Sequence, residues 1–600
     1  MRFVFAGLLL VQLVSVDSWQ VRHQIAAAHA GQVDSSFISS ANDRFLLSAT
    51  DTIAQCSGID DTASLASAIA AAGPGWVIIE EGSTCASGNL TIPNLKIVKG
   101  GFLMPLSGQT VVVDRFEAGQ YQTFLNTGVG TVMFHSPPAT DDGKTGVIEA
   151  YPQWWGCIAD YAHDCAPSLT AAINSGVRRI FLPSGGYGLA SPVSIRLNNF
   201  VLEGQSRVYT DIFPMASDIH VGSGPNAMFV NQLRTCTPAS SAICLPTNCI
   251  IQKLRFTSAL QFNGWVFWAE DGVQGGAALF SSIIRDCWIS MGSASRGFFH
   301  GGISDSFFLN NDIENTNTIF DLVGARISAS TFRDNHLLGG VGPFIQSTTD
   351  ASNIMTVDGL MAASQGQGYL LDIKNGKDWQ VRNVTLQYEG GNGAQGGLFK
   401  FDTCVRMLAS HFQATRLSGR MGGILIKDSQ LKIADGFISD VWGTSDVPWA
   451  LTFRGVNDAD IDNVTIEKGF DGNSPQQVYF DDGTGGNVRI NHCKFTKGPS
   501  RIFDGGSNVS ANITLRSSEI TNGQYNVGLS TVRLFELGTS GRFYVLNNVI
   551  GVDDPLATPR GDFAFFGTGD LLIDGNVFLG TNRVPVFNGG TQTARLGNNY

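Results

Sequence analysis

The sequence predicts an all-β chain wound as a parallel β-solenoid, and three observations carry that prediction. First, short apolar runs recur with a similar shape: "IDNVTIEKG" at Ile461, "INHCKFTKG" at Ile490, "RSSEITNG" at Arg516, "LNNVIG" at Leu546 and "IDGNVFLGT" at Ile573. Second, one apolar position repeats through Trp288, Ile313, Leu337, Met361, Leu386, Phe412 and Ile438 at intervals of about 25 residues, then more loosely through Ile466, Phe495, Ile520, Ile550 and Phe578. Third, the units are rich in Val, Ile, Phe, Thr and Asn, alternate apolar with polar residues and close on Gly, which is the pattern of short strands between tight turns.

Other repeats fit less well. A helical repeat needs an amphipathic stretch of about a dozen residues in every unit, and none is present. A propeller blade needs roughly 40 residues, and a leucine-rich repeat needs a strict Leu ladder. In a solenoid each rung bonds to the next at ~4.8 Å and like side chains stack in columns. Asn suits the corners because it tolerates the left-handed backbone and can bond along the stack.

Bulk composition agrees. The chain has 600 residues, 43% hydrophobic and only 15% charged, with 71 Gly, enough for a large core. Its formal charge of -12 argues against a general nucleic-acid or anionic-membrane binder. The N-terminus "MRFVFAGLLLVQLVSVDSWQ" sets a basic Arg2 before an apolar run, Phe3 to Val16. Residues 1–18 are therefore expected to be a secretory signal peptide, and the protein secreted, extracellular or at a cell surface. Residues 19–55 read as a polar, Ala/Ser-rich leader. No other segment approaches the ~20 apolar residues of a membrane span.

Ten cysteines fit export. The expected disulfides are Cys56–Cys85, Cys157–Cys165 and Cys236–Cys244. A zinc site at Cys236, Cys244 and Cys249 is the rival, but that cluster lacks a CxxC pair and a nearby His. Cys287, Cys404 and Cys493 sit inside strand patterns and read as buried thiols.

Two stretches open in the same way: "DDTASLASAIAAAGPGWVIIEEGSTCASGNLTI" over 60–92 and "DCAPSLTAAINSGVRRIFLPSGGYGLASPVSI" over 164–195. Both resemble the start of the pectate-lyase-like superfamily of right-handed parallel β-helices, whose members include bacterial and phage polysaccharide-degrading and tail-spike-like proteins. There a "DDT…L..AI" helix caps the open end of the solenoid and a "v.lP.G.Y" strand begins the first rung. The resemblance implies that Asp60, Asp61 and Thr62 cap the helix N-terminus, and that Leu65, Ile69, Leu169 and Ile173 close the core. "YPQWWGCIAD" from Tyr151 is similar to the "YPEWWGA" phrase that precedes such a start, with Trp154 and Trp155 in packing roles. The second copy has "DCAPS" in place of "DDT", so a Cys157–Cys165 bridge is expected to hold its cap. Two starts imply two parts: a small β-rich N-terminal module over 56–150 and the right-handed parallel β-helix over 151–600.

Chemistry must sit on an outward face or in loops, because the inner face is filled. If Ile313 points inward, Asp312 and Glu314 point out, ~6.6 Å apart along the strand. His336, one rung later, would stack beside Asp312 at ~4.8 Å, with Asp334 on the same face. Two carboxyl groups about 6.5–9.5 Å apart suit inverting glycoside hydrolysis, and crowding would raise one pKa to supply the acid. Asp312, Glu314, Asp334 and His336 are thus the catalytic candidates. The same carboxylates could instead bind calcium, the one cofactor the pattern suggests. A polar ladder on a solvated face is the plain structural alternative.

Trp379, Tyr388 and Trp442 are candidates to stack on sugar rings. Arg416, Arg420 and Lys427 would serve a lyase, which needs a base beside a uronate; Arg416 and Arg420 are also substrate-binding candidates. "FHGGISDS" from Phe299 faintly resembles the Gly-His-Gly stretch of polygalacturonases. The paired Asp before it and the later "RIK" are missing, so that activity is not assigned. The expectation is a secreted protein that binds and cleaves a polysaccharide, with hydrolysis favoured over elimination. The alternatives are a non-catalytic glycan-binding or tail-spike-like protein, a polysaccharide lyase, and a purely structural solenoid. The resemblance to phage spikes admits a homotrimer, which no residue pattern demands.

Overall fold

The computed structural model describes residues 50–600 except 126–129, 136–145, 196–198, 223, 232–247, 259–261, 270–277, 340–341, 348–351, 364–366, 388–394, 416–422, 442–448, 470–476, 497–501, 507, 523–534, 553–562, 580–586 and 589–592. Residues 1–18 and nearly all of 19–55, together with Tyr388, Arg416, Arg420, Trp442, Cys236 and Cys244, therefore lie outside the described residues. Thr52–Tyr600 is one compact unit.

The chain is a right-handed parallel β-helix. Each turn lays two short strands on a 29-stranded sheet and one strand on an 18-stranded sheet. Phe307–Leu309, Asp312–Glu314 and Thr318–Ser328 make up one such turn. Neighbouring rungs pair in parallel, as Asp312–Glu314 does with His336–Leu338. The first two strands of a turn meet at a residue in the left-handed region: Asp286 (φ 54), Asn310 (φ 51), Asp334 (φ 54), Asn383 (φ 52) and Asn463 (φ 52). Short polar side chains tolerate that backbone, so the corners are largely Asn and Asp.

Two kinds of column hold the coil together. The inner column runs Tyr187, Ile212, Phe256, Ile289, Ile313, Leu337, Ala362, Leu386, Ala414, Ile438, Ile466, Phe495, Ile520, Ile550, Phe578. This corrects the predicted series at three places. Trp288 and Met361 are one residue off register and point outward, Met361 being 56% exposed. Phe412 belongs to the next inward column, over Gly436, where a Cβ would meet its ring at 2.1 Å. A one-residue slip inverts every face of a strand; Trp288 and Met361 are large and apolar yet lie on the outer face, while Phe412 is buried two residues from the column. The second kind of column is a buried amide ladder. Asn311 Nδ2 donates to Asn335 Oδ1 at 2.9 Å, and Asn335 Nδ2 donates to the Phe308 carbonyl at 2.9 Å. The same device recurs where Asn548 Nδ2 donates to Asn576 Oδ1 at 3.0 Å.

At the N-terminal end a five-stranded sheet runs from Thr52–Ile53 to Thr131–Phe134, and the long sheet begins at Glu149–Ala150. Aromatic contacts join the two, with Phe116 and Trp154 ring centroids 4.7 Å apart and Phe124 and Trp155 5.2 Å apart. One hydrophobic core is continuous from Ala54 to Ile573. The helix Thr62–Ala72 buries Leu65, Ala68 and Ala72. Its capping differs from the expected scheme. Asp61 makes no cap hydrogen bond; its carboxylate accepts the N–H groups of Ser57 at 2.6 Å, Gly58 at 2.9 Å and Ala86 at 3.0 Å. Burial pushes its pKa up, but these bonds outweigh burial and hold it below 3.8. Asp60 accepts the Thr62 N–H at 3.1 Å in its place. The second helix, Ala166–Ile173, follows a Cys157–Cys165 disulfide, and Cys56–Cys85 is also formed. Cys249, Cys287, Cys404 and Cys493 are buried thiols, each pushed up to about 12 by burial. No described helix is long and apolar enough to cross a membrane.

Candidate functional site

Outward residues of the long sheet form the patch that sequence spacing predicts around Asp312. Asp312 and His336 are register partners, and His336 Nδ1 lies 3.1 Å from Asp312 Oδ1. The second carboxylate oxygen is also engaged: Arg207 Nη1 lies 2.9 Å from Asp312 Oδ2. Trp288 is the neighbour on the other side, with the Arg255 guanidinium 4.6 Å from its ring centroid. Asp211 precedes Arg255 in the column. It is buried and takes the Thr257 hydroxyl at 2.7 Å, and burial pushes its carboxyl above 3.8. Glu314 stands between Ser290 and Leu338.

Asp334 does not join this patch. It occupies the left-handed corner (φ 54) before the His336 strand, so strand alternation is broken there and its carboxylate lies 3.5 Å from Arg333 Nε, two-thirds exposed. Asp312, Glu314 and Asp334 accordingly do not converge. Among the described residues no group of three or more His, Cys, Asp or Glu is placed to hold a metal ion. Trp379 is fully buried in the core and has no face for a sugar. Lys427 is paired with Asp402 at 3.2 Å. That pairing leaves it no unencumbered base.

The other sheet carries a second row, one residue per rung: Trp268, His300, Asp321, Gln346, Asp372, Lys400. Phe299, Phe320, Leu371 and Phe399 alternate inward with them, which turns the row outward. Trp265 and Trp268, with Ala227 and Val230, form an apolar cluster apart from the main core. The His300 imidazole stacks on Trp268 with centroids 4.0 Å apart, and Trp265 lies 5.0 Å away. His300 Nδ1 is 2.9 Å from Asp321 Oδ2. Two rungs further on, Lys400 Nζ lies 2.9 Å from Asp372 Oδ1 and 3.1 Å from Oδ2. The backbone spacing of Asp321 and Asp372 is thus ~9.6 Å. A register shift between Gly301 and Ile303 lies beside His300, and such bulges re-aim neighbouring side chains.

No family model and no curated protein matches this chain. Solved structures with similar folds are distant. The Agl-KA catalytic domain shares 13% identity, with 70% of each chain covered and a TM-score of 0.43. DFA-IIIase from Arthrobacter chlorophenolicus A6, without its lid and in complex with GF2, shares 13% over 68% of this chain and 94% of that one, at a TM-score of 0.39. Tailspike protein 3 of bacteriophage CBA120 shares 12% over 78% of this chain and 64% of that one, at 0.33. Likeness at this level assigns no chemistry, so the site rests on its own geometry.

Sequence reasoning missed the row on the second sheet. His300 was in view within "FHGGISDS", but Asp321 follows it by 21 residues, short of the rung interval. Asp372 and Lys400 lie in strands whose spacing drifts to 26 and 28 residues. A search for carboxylates and imidazoles on a second outward register is the signal that would have found them.

Proposed function

We propose that this protein is an extracellular polysaccharide-binding and polysaccharide-cleaving enzyme, acting by hydrolysis at the row Trp268–His300–Asp321–Gln346–Asp372–Lys400. The observation that carries the reading is the His300–Asp321 pair on a tryptophan platform outside the core, with the Lys400-held Asp372 two rungs away. Trp265 and Trp268 would carry the apolar face of a sugar ring. Asp372, held in place by Lys400 Nζ at 2.9 Å, would take a proton from water. The His300–Asp321 pair, holding one proton between Nδ1 and Oδ2, would give it to the leaving oxygen as the glycosidic C–O bond breaks and the water oxygen bonds to the anomeric carbon. The ~9.6 Å backbone spacing is close to the upper end of the about 6.5–9.5 Å carboxyl separation that leaves room for that water in inverting enzymes. Elimination is less well supported, because Lys400 and Lys427 are both paired with carboxylates. Two disulfides support an oxidising, extracellular location.

A second reading keeps the chemistry at Asp312, Glu314 and His336, and the Asp312–His336 approach of 3.1 Å favours it. One experiment separates the two. Wild type, Asp321→Asn and Glu314→Gln are assayed on a polysaccharide panel for reducing ends and for absorbance at 235 nm, where unsaturated lyase products absorb. Loss of reducing-end release in Asp321→Asn alone supports the first reading, and loss in Glu314→Gln alone supports the second. New absorbance at 235 nm from the wild type would overturn hydrolysis.

A further inference from the structure

The long sheet holds a cleft of about 520 Å³ well along the coil from Asp312. Its wall is two columns over four successive rungs. The strand column is Thr385, Gln413, Phe437 and Thr465. The corner column is Asn383, His411, Asp435 and Asn463, all left-handed with φ between 52 and 53. The left-handed corner turns these polar side chains toward the same opening that Phe437 faces. Phe437 is half-buried and presents a ring, while Gln413 and Asn463 are exposed amides.

The chemistry of the lining is narrow. Among the described lining residues there is no Lys or Arg, and the one imidazole, His411, is turned to Asp435 rather than left for a uronate, sulfate or phosphate. The single carboxylate among the described lining residues, Asp435, accepts Asn463 Nδ2 at 2.7 Å and lies 3.8 Å from His411 Nε2. One His–Asp pair, with no second carboxylate across from it among the described residues, lacks the separate base a glycosidic bond needs. An aromatic face ringed by neutral amides and hydroxyls matches the two surfaces of a neutral sugar: C–H groups over the ring and hydroxyls against the amides. The four rungs span ~14 Å, long enough for a short oligosaccharide lying along the coil.

We infer that this cleft is a non-catalytic binding site for a neutral oligosaccharide segment, centred on Phe437 and separate from the row at His300. The test is a labelled-protein glycan array containing neutral and uronate glycans. It uses full-length wild type, Trp268→Ala, and Trp268→Ala combined with either Phe437→Ala or Gln413→Ala. Trp268→Ala removes the aromatic platform of the other sheet, so its remaining signal reports the cleft. The expected result is neutral-glycan binding that survives Trp268→Ala and falls about tenfold with Phe437→Ala, with a smaller fall for Gln413→Ala. Circular dichroism and thermal unfolding verify that each variant is folded; Gln413→Ala, at an exposed position, serves if Phe437→Ala is not. Binding abolished by Trp268→Ala alone, binding indifferent to both cleft changes, or no neutral-glycan binding by the wild type would each overturn the inference. Cleavage is scored separately, so failure of the hydrolase reading leaves this test intact.

Discussion

His300 Nδ1 and Asp321 Oδ2 lie 2.9 Å apart on adjacent rungs, with the Trp268 indole stacked on the imidazole. Both side chains are largely buried, at 12% and 20% exposure. Packing on one side and the Asp321 carboxyl on the other fix the ring, so the pair is presented in one orientation. That is the preorganisation a proton donor needs.

Asp321→Asn and Asp372→Asn are each expected to lower kcat by about 10²-fold or more, with KM little changed, since proton transfer contributes about that much. Trp268→Ala should act mainly on KM, because it removes a stacking face rather than a proton. Steady-state kinetics on the cognate polysaccharide check the split. Equal losses in kcat and KM for all three would point to collapse of the row instead.

Asp211 sets a pH dependence of stability. Burial pushes its carboxyl above 3.8, against the opposing pull of Thr257 and Arg255. A carboxyl with a raised folded-state pKa favours folding below its unfolded pKa, and that contribution disappears as pH climbs through the folded value. Asp211→Asn keeps an acceptor for Thr257 and removes the buried charge. Thermal unfolding should therefore show the variant with a higher Tm than wild type near neutral pH, and a shrinking difference toward acid. A constant difference at all pH values would show that charge is not the cause.

The amide ladder should be costly to interrupt. Asn335 Nδ2 serves the carbonyls of Phe308 at 2.9 Å and Arg333 at 3.2 Å, and its Oδ1 takes the Asn311 amide. Asn335→Ala leaves buried polar groups without partners, for a loss of about 2–3 kcal/mol by denaturant unfolding. Asn310→Gly, at an exposed left-handed corner, gives up only a surface bond to Asp286 and should cost far less.

The Cys56–Cys85 bridge closes a 29-residue separation around the first helix. The double change to Ser should lower stability by about 3–4 kcal/mol in the chain-entropy estimate. Limited proteolysis should then cut first between residues 52 and 134, because that segment is then held to the rungs beyond by packing and a few hydrogen bonds, such as Phe134 N–H to the Ser175 carbonyl at 2.7 Å.

The sequence by itself determined the coil. Val, Ile and Phe alternating with Asn and Thr, with Asn, Asp or Gly at many corners, can bury an apolar face only by stacking copies of the unit. It also placed Asp312 beside His336, because those two rungs keep a constant length of 24 residues. Reading failed where rung length varied. Trp288, Met361 and Phe412 are large and apolar, yet the inner column passes through Ile289, Ala362 and Ala414. Residue size does not reveal which face a side chain takes; only hydrogen-bonded register does. The same limit hid the row from Trp268 to Lys400, whose members lie 21 to 32 residues apart. Tertiary structure alone decided that they share a face, because an insertion in a turn shifts sequence spacing while the stack, held by parallel hydrogen bonds, keeps its spacing in space.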